Sequence, residues 1–257
     1  MKKITKYIPT IILTLLCSCS DYLDIVPDNV TTLDIVFNNR NTAERYLANC
    51  YHFVPDHGSV KRIPGMGAGH ECWFYTTNDS HFDNEVSFYI ARGLQNIDAP
   101  YANYWDGEGG SNLPMFRAIR ECNIFLDYVR DQHKVNDLTD SERKRWIAEV
   151  NVLKAYYHFF LFEHYGPIPI VDKALPVSTD PEGVKVTRMP VDQIVDYMVK
   201  LIDDSYKDLP PVITMEATEM GRLTQPAALA LKAKILLWAA SPLFNGNKAV
   251  SYTHLRA

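Results

Sequence analysis

The sequence predicts an all-α, mainly helical fold, in which tetratricopeptide-like helix pairs build a solenoid that supports a loop-rich binding face. Three observations carry this expectation. Five segments read as helices, and their boundaries are marked by capping residues, proline or glycine. One of them, ending at Tyr165, is apolar nearly all round toward its C-terminal half, which places it inside the protein between other helices. Between the first segment and the other four lies a long stretch rich in glycine and aromatic residues, with no helical period.

The segment from Asp21 to about Phe37 reads as extended, with Pro27, Asn29 and the Thr31–Thr32 pair. Asn41 and Glu44 then stand in capping-box relation, followed by a stripe of Tyr46, Leu47, Cys50, Tyr51 and Val54 that stops before Pro55. Residues 55–110 are broken by Gly58, Gly65, Gly67, Gly69, Gly93 and Gly107, among aromatic residues from Trp73 to Trp105. A loop-rich stretch of this length carries function or hides short elements, and it is read as the functional insert.

Helices dominate the remainder. Pro114 suits a first turn, and Met115, Ile119, Cys122, Phe125, Leu126 and Val129 follow at helical spacing. Thr139 and Glu142 form a second capping-box pair, opening a helix that runs to Tyr165 and ends at Gly166–Pro167. From Val152 to Phe162 only Lys154 and His158 interrupt its apolar character, and His158 is expected to be hydrogen-bonded in the core. Pro190 begins a helix with Ile194, Tyr197, Met198, Leu201 and Ile202 on its apolar face, closed by Pro210–Pro211; Thr224 caps another from Pro226 to Ala240. Residues 113–165 form one antiparallel pair and 190–240 a second, with alanines such as Ala148, Ala155 and Ala228 permitting close approach. Stacked pairs of this kind build solenoids, although no clean repeat period is visible.

The N-terminus predicts export. Lys2 and Lys3 precede a short apolar run from Ile8 to Leu16. A bilayer-spanning helix needs roughly 20 apolar residues, so this run fits a signal-peptide core instead. Leu16, Cys17 and Ser18 stand before Cys19 in the manner of a bacterial lipobox, which makes Cys19 the acylated first residue of the mature chain; the alternative is an ordinary secretory leader. Ser20, rather than Asp, follows Cys19 and allows an outer-membrane destination. Of the cysteines beyond it, Cys50 and Cys122 lie on apolar helix faces as buried thiols, while Cys72 is left open to a disulfide.

Composition excludes some functions. A net charge of −5 with scattered basic residues argues against a nucleic-acid partner. No catalytic, metal or phosphate motif is present, and no cofactor is implied. The glycines around Gly65, Gly67 and Gly69 read as a surface turn. Asp79, Asp83 and Glu85 offer carboxylates to calcium, though solvated loop acids explain them as well. Sugar rings have apolar faces rimmed by hydroxyls, so their sites combine aromatic platforms with polar neighbours. Trp73, Tyr75, Asn78 and Asp79 supply both kinds of group within a few residues and form the candidate glycan platform. Trp105, Trp146 and Trp238 are expected to be packing residues.

Four segments in order carry a resemblance: CSDYLDIVPD from Cys19, RAIRECNIFLDYV, AEVNVLKAYYHFFLFEHYGPIPIV and GRLTQPAALALKAKILLWAASPLFN. They resemble the SusD/RagB family of nutrient-binding surface lipoproteins, with a departure at Pro167, where the family more often has a second glycine. The resemblance implies a non-enzymatic, cell-surface protein of the outer membrane. It would capture oligosaccharides, or peptides, and deliver them to a SusC-like TonB-dependent transporter. A helical scaffold or peptide-binding lipoprotein without carbohydrate affinity is the alternative, and a hydrolase with its catalytic part elsewhere is a third reading.

The expected layout is a leader at 1–18, a lipidated tether at 19–40, a helical domain at 41–249 and an atypical tail at 250–257. Family members are markedly longer, so this is expected to be an N-terminal portion with apolar surface exposed on the helix carrying Leu231, Ile235 and Trp238.

Overall fold

The structure, a computed structural model, describes residues 32–58, 64–69, 86–98, 100–107, 113–176 and 182–245. The leader, Cys19, Cys72, the four platform residues, Asp83, Glu85 and the tail lie outside the described residues. The chain divides into two units, Met1–Val36 and Phe37–Ala257. In the first, the described residues form one helical turn, α1 (Leu33–Val36), where an extended segment was expected. The turn closes through Val36 N–H donating to the Thr32 carbonyl at 3.1 Å.

In the second unit the helices are α2 (Arg40–His52), α3 (Pro64–Gly67), α4 (Val86–Ala91), α5 (Met115–Arg130), α6 (Asp140–Tyr165), α7 (Val191–Asp203), α8 (Glu216–Glu219) and α9 (Gln225–Ala239). The described residues contain no strand. The all-α expectation holds. The α3 turn covers Gly65 and Gly67 of the glycine cluster read as a surface turn; Gly67 is buried, whereas Gly65 and Gly69 are exposed.

The long helix α6 is the axis, with α2, α5, α7 and α9 all packed against it. Its start is the expected capping box: the Thr139 side chain accepts from Glu142 N–H while the Glu142 carboxylate reaches back to Thr139. Its end is Gly166, whose φ of 67° suits a residue without a Cβ. Around α6 the aromatic side chains of Trp146, Tyr157, Phe159, Phe160 and Phe162 are almost wholly buried, each contributing roughly 2 kcal/mol of hydrophobic stabilisation.

The two polar interruptions of this apolar helix are both satisfied. Lys154 Nζ donates to the Asp172 carbonyl at 2.9 Å and to its carboxylate at 2.7 Å. His158 Nδ1–H donates to the Lys154 carbonyl at 2.8 Å, and its Nε2 faces Val171 N–H at 3.4 Å. These bonds tie the segment after Gly166 back across α6. The expected core histidine is there.

Helices α5 and α6 form the first antiparallel pair, and Met115, Ile119, Cys122, Phe125, Leu126 and Val129 are buried as their spacing predicts. Helices α7 and α9 form the second. Cys50 and Cys122 are free, buried thiols.

Three boundaries differ from expectation. Helix α2 begins at Arg40, because the Asn39 side chain, and not Asn41, accepts from Thr42 N–H at 3.1 Å. Glu44 consequently sits within the helix, where it pairs with Arg40 at 3.1 Å. Helix α2 also ends at His52, leaving Val54 exposed. Helix α7 ends at Asp203, and a tight turn at Tyr206–Asp208 intervenes before the prolines.

On α9, Ile235 is fully buried, and Leu231 and Trp238 are partly covered. The exposed apolar side chains are instead Leu229, Leu236 and Leu237. The buried stripe faces α6 and α7, so the opposite side of the same helix carries the exposed leucines.

Candidate functional site

Of the insert at 55–110 the structure describes residues 55–58, 64–69, 86–98 and 100–107, with Trp73, Tyr75, Asn78 and Asp79 outside them. The Tyr165 hydroxyl at the end of α6 organises this part. It accepts from Tyr104 N–H at 2.9 Å and lies 3.4 Å from the Ala102 carbonyl, to which it donates. Met115 N–H, at the start of α5, donates to the Tyr104 carbonyl at 3.0 Å. The loop is thus held between the first turn of α5 and the last turn of α6. Burial pushes the Tyr165 hydroxyl above the ordinary tyrosine pKa, which keeps its proton in place for this role.

Trp105 was expected to be a packing residue, and it is half-buried. Its ring lies edge-to-face on Phe116 at 4.6 Å and on Tyr165 at 5.5 Å. The Arg188 guanidinium stands 5.1 Å from the ring centroid, and its Nη1 donates to the Pro167 carbonyl at 2.7 Å. A cation beside the C-terminus of α6 also complements the helix dipole. Tyr104 next to it is fully buried against Phe160 and His164. Gly107, at φ +82°, lies so close to Pro114 that an added Cβ would stand 2.8 Å from its ring.

Tyr89 on α4 and Tyr101 stack at 4.2 Å with their planes 11° apart, and both keep some exposed surface. Gly93, at φ +73°, ends α4 through its N–H bond to the Ile90 carbonyl. Gln95 Oε1 accepts from Tyr101 N–H at 2.8 Å and Ala102 N–H at 3.3 Å. Sequence spacing does not reveal this pair, because eleven residues separate Tyr89 and Tyr101, most of them beyond the end of α4, and no period links them.

A separate cleft of about 620 Å³ lies between α2 and the turn after α8, lined by residues including Glu44, Arg45, Tyr51, Met220 and Arg222. Two of its lining residues, Tyr51 and Arg222, belong to an ion network. The carboxylate of Glu149, fully buried, accepts from Arg145 Nε at 2.9 Å, Arg222 Nε at 3.1 Å and the Tyr51 hydroxyl at 2.9 Å. Glu219 pairs with Arg145 at 2.8 Å and with Arg222 at 3.3 Å. The Tyr51 hydroxyl also accepts from Leu223 N–H at 3.1 Å. The charges compensate one another, which marks this network as a structural tie between α2, α6 and the turn before α9. Among the described residues there is no cluster of His, Cys, Asp and Glu suited to a metal ion, and no helix long and apolar enough to cross a membrane.

Comparison with known proteins supplies the context. Residues 21–237 match a SusD-like family model described as starch-binding and associating with the outer membrane. No curated protein matches the chain. Among solved structures it is similar to BT4246, at 28% identity and TM-score 0.63, over 81% of this chain and 32% of that one. A laminarin-binding SusD-like protein matches at 18% identity and TM-score 0.61, over 79% of this chain and 41% of that one. Surface glycan-binding protein A from Bacteroides thetaiotaomicron, solved with laminarihexaose, matches at 18% identity and TM-score 0.56, over 78% and 39% of the two chains. The chain therefore spans between about a third and two fifths of the length of these structures. The matched family model covers the capped helices, the Tyr165–Gly166 terminus and the aromatic loop that it pins, and the chain belongs to the SusD/RagB family of SusD-like proteins.

Proposed function

We propose that the protein is a cell-surface glycan-binding lipoprotein of the outer membrane that captures oligosaccharides and delivers them to a SusC-like TonB-dependent transporter. In this reading residues 1–18 are removed, Cys19 carries the lipid, and 19–40 tether the helical domain to the membrane. Each CH₂ of a bound acyl chain adds roughly 0.8 kcal/mol of membrane affinity, so several chains anchor the protein durably. Trp73 and Tyr75 supply ring faces to the sugar, Asn78 and Asp79 bind its hydroxyls, and the protein performs no catalysis.

The family match over residues 21–237, with its description as starch-binding and outer-membrane-associated, carries this reading. The glycan ligands of two structural neighbours support it further. Tyr89, Tyr101 and Trp105 are only partly buried, and the ring surface they keep in water is of the kind that a sugar face stacks on.

Affinity electrophoresis against soluble polysaccharides, with Trp73→Ala beside the parent chain, tests the binding role. Retardation by at least one glycan is expected, with its loss or marked weakening in the variant. If no glycan retards the chain, the reading fails. Fractionation of cells carrying Cys19→Ala tests the anchor: the parent stays with the outer membrane and the variant is released from it.

A further inference from the structure

We propose that Cys50 and Cys122 become joined by a disulfide in the exported chain, a staple that closes the base of the aromatic insert. This rests on the export reading above, since disulfides form and persist in the oxidising compartments outside the cytoplasm.

The fold brings the two cysteines together. Cys50 lies in the last turn of α2, where the chain leaves for the insert, and Cys122 lies midway along α5, to which the insert leads. Helix α2 packs directly against α5. Side chains flanking the two sulfurs set the register between these helices. The Tyr46 hydroxyl, one turn before Cys50, donates to the Glu121 carboxylate at 2.5 Å, and Asn49 Nδ2 donates to the same group at 3.4 Å. From α6, the Tyr157 hydroxyl donates to the Cys50 carbonyl at 2.5 Å. Both thiols are fully buried, and they interact through a side-chain hydrogen bond. Among the described residues no third ligand joins them to hold a metal ion, so the partner each sulfur has is the other.

The bond forms before α2 and α5 finish docking. In the folded chain the neighbouring Cys122 sulfur, and then burial, push the Cys50 thiol well above the ordinary cysteine range, and a protonated, buried thiol is inert in exchange. Before docking, one thiolate attacks a disulfide-bonded oxidant, breaks that S–S bond and forms a mixed disulfide. The second thiolate then attacks the chain's own sulfur, forms the Cys50–Cys122 bond and releases the oxidant as its dithiol. Two electrons pass from the cysteines to the oxidant, whose two sulfurs take up the two protons. The closed loop spans about 70 residues and contains the whole insert, so the bond removes much conformational freedom from the unfolded chain.

The test is disulfide mapping of the full chain, produced with its leader in exporting cells and purified without reductant. It is unfolded in urea with iodoacetamide, digested and analysed by mass spectrometry. A peptide pair linked through Cys50 and Cys122 is expected, and dithiothreitol should separate it only after the chain is unfolded. Alkylation of both thiols without reductant, or a link from either to Cys72, overturns the proposal. In a second arm the urea-denatured full chain is refolded with reduced and oxidised glutathione, and the same pair is expected. If the cells retain the chain with residues 1–18 attached, the export reading fails, and the refolding arm alone decides the pairing. The oxidised and reduced chains, identical in sequence, are then melted. The oxidised form should melt about 10 °C higher, the scale of closing a loop of this length in a domain of this size. Equal midpoints overturn the staple.

Discussion

The guanidinium of Arg143, in the first turn of α6, donates to the Val129 carbonyl in the last turn of α5 at 2.6 Å. It also donates to the carbonyls of Asp131 at 3.3 Å, Lys134 at 3.1 Å and Val135 at 2.9 Å. One buried cation thus serves four carbonyls at the end of α5 and in the following turn, of which Asp131 and Val135 also accept from Lys134 and Leu138 N–H. The turn holds Val135 at φ +50°, a left-handed backbone that a β-branched residue adopts only when its surroundings impose it. Arg143→Ala is expected to destabilise the fold by about 3 kcal/mol, because several carbonyls lose a charged donor at once. Urea unfolding checks this, and Arg143→Lys should recover only part of the loss, since an ammonium cannot span the same fork.

Removing one member of the Glu149 network should cost as much. Glu149→Gln leaves Arg145 and Arg222 with Glu219 as the remaining carboxylate between them and removes the charge at a place that water does not reach. About 3 kcal/mol of destabilisation is expected by chemical denaturation. Lys200→Ala, which breaks the exposed Lys200–Asp204 pair, should leave the unfolding midpoint in place.

The fold should lose stability in mild acid through His158. Burial lowers its pKa to about 4, against an unfolded value of about 6.5. Between those values the unfolded chain binds a proton that the folded chain refuses. The contribution is therefore complete above about pH 6.5, falls as pH drops, and is lost by about pH 4. From pH 7 to pH 5 the loss from this group is about 2 kcal/mol. Urea titrations at the two pH values measure it, and His158→Gln should remove that part of the pH dependence.

Gly107→Ala is expected to disturb the aromatic loop locally. Both the positive φ and the contact with Pro114 oppose a Cβ, and a destabilisation of about 2 kcal/mol follows. Near-ultraviolet circular dichroism should report a changed Trp105 environment, while far-ultraviolet signals stay near those of the parent. An unaltered near-ultraviolet spectrum would show that the loop absorbs the substitution.

Legibility differed between the helices and the site. The capping pair Thr139–Glu142, the Gly166 terminus and the stripe from Met115 to Val129 could all be read directly, because helical period and capping are local properties. The N-terminus of α2 lies two residues before the place its capping pattern predicts, since Asn39 and Asn41 are chemically equal caps. The choice fell to a contact distant in sequence, the bond from Arg40 N–H to Asp137 at 2.8 Å.

An all-α chain, its central buried helix, its family and the aromatic character of its insert all follow from residue pattern and motif alone. Tertiary structure decided which aromatics remain reachable. Tyr104 is buried and its neighbour Trp105 only half-buried, with the Tyr104 N–H held by the Tyr165 hydroxyl at the end of α6. The same holds for the Tyr89–Tyr101 stack and for Glu149 between its two arginines. Periodicity records which face of a helix is apolar. It holds no record of which distant side chains close a loop, since those pairings arise only when the helices that carry them pack.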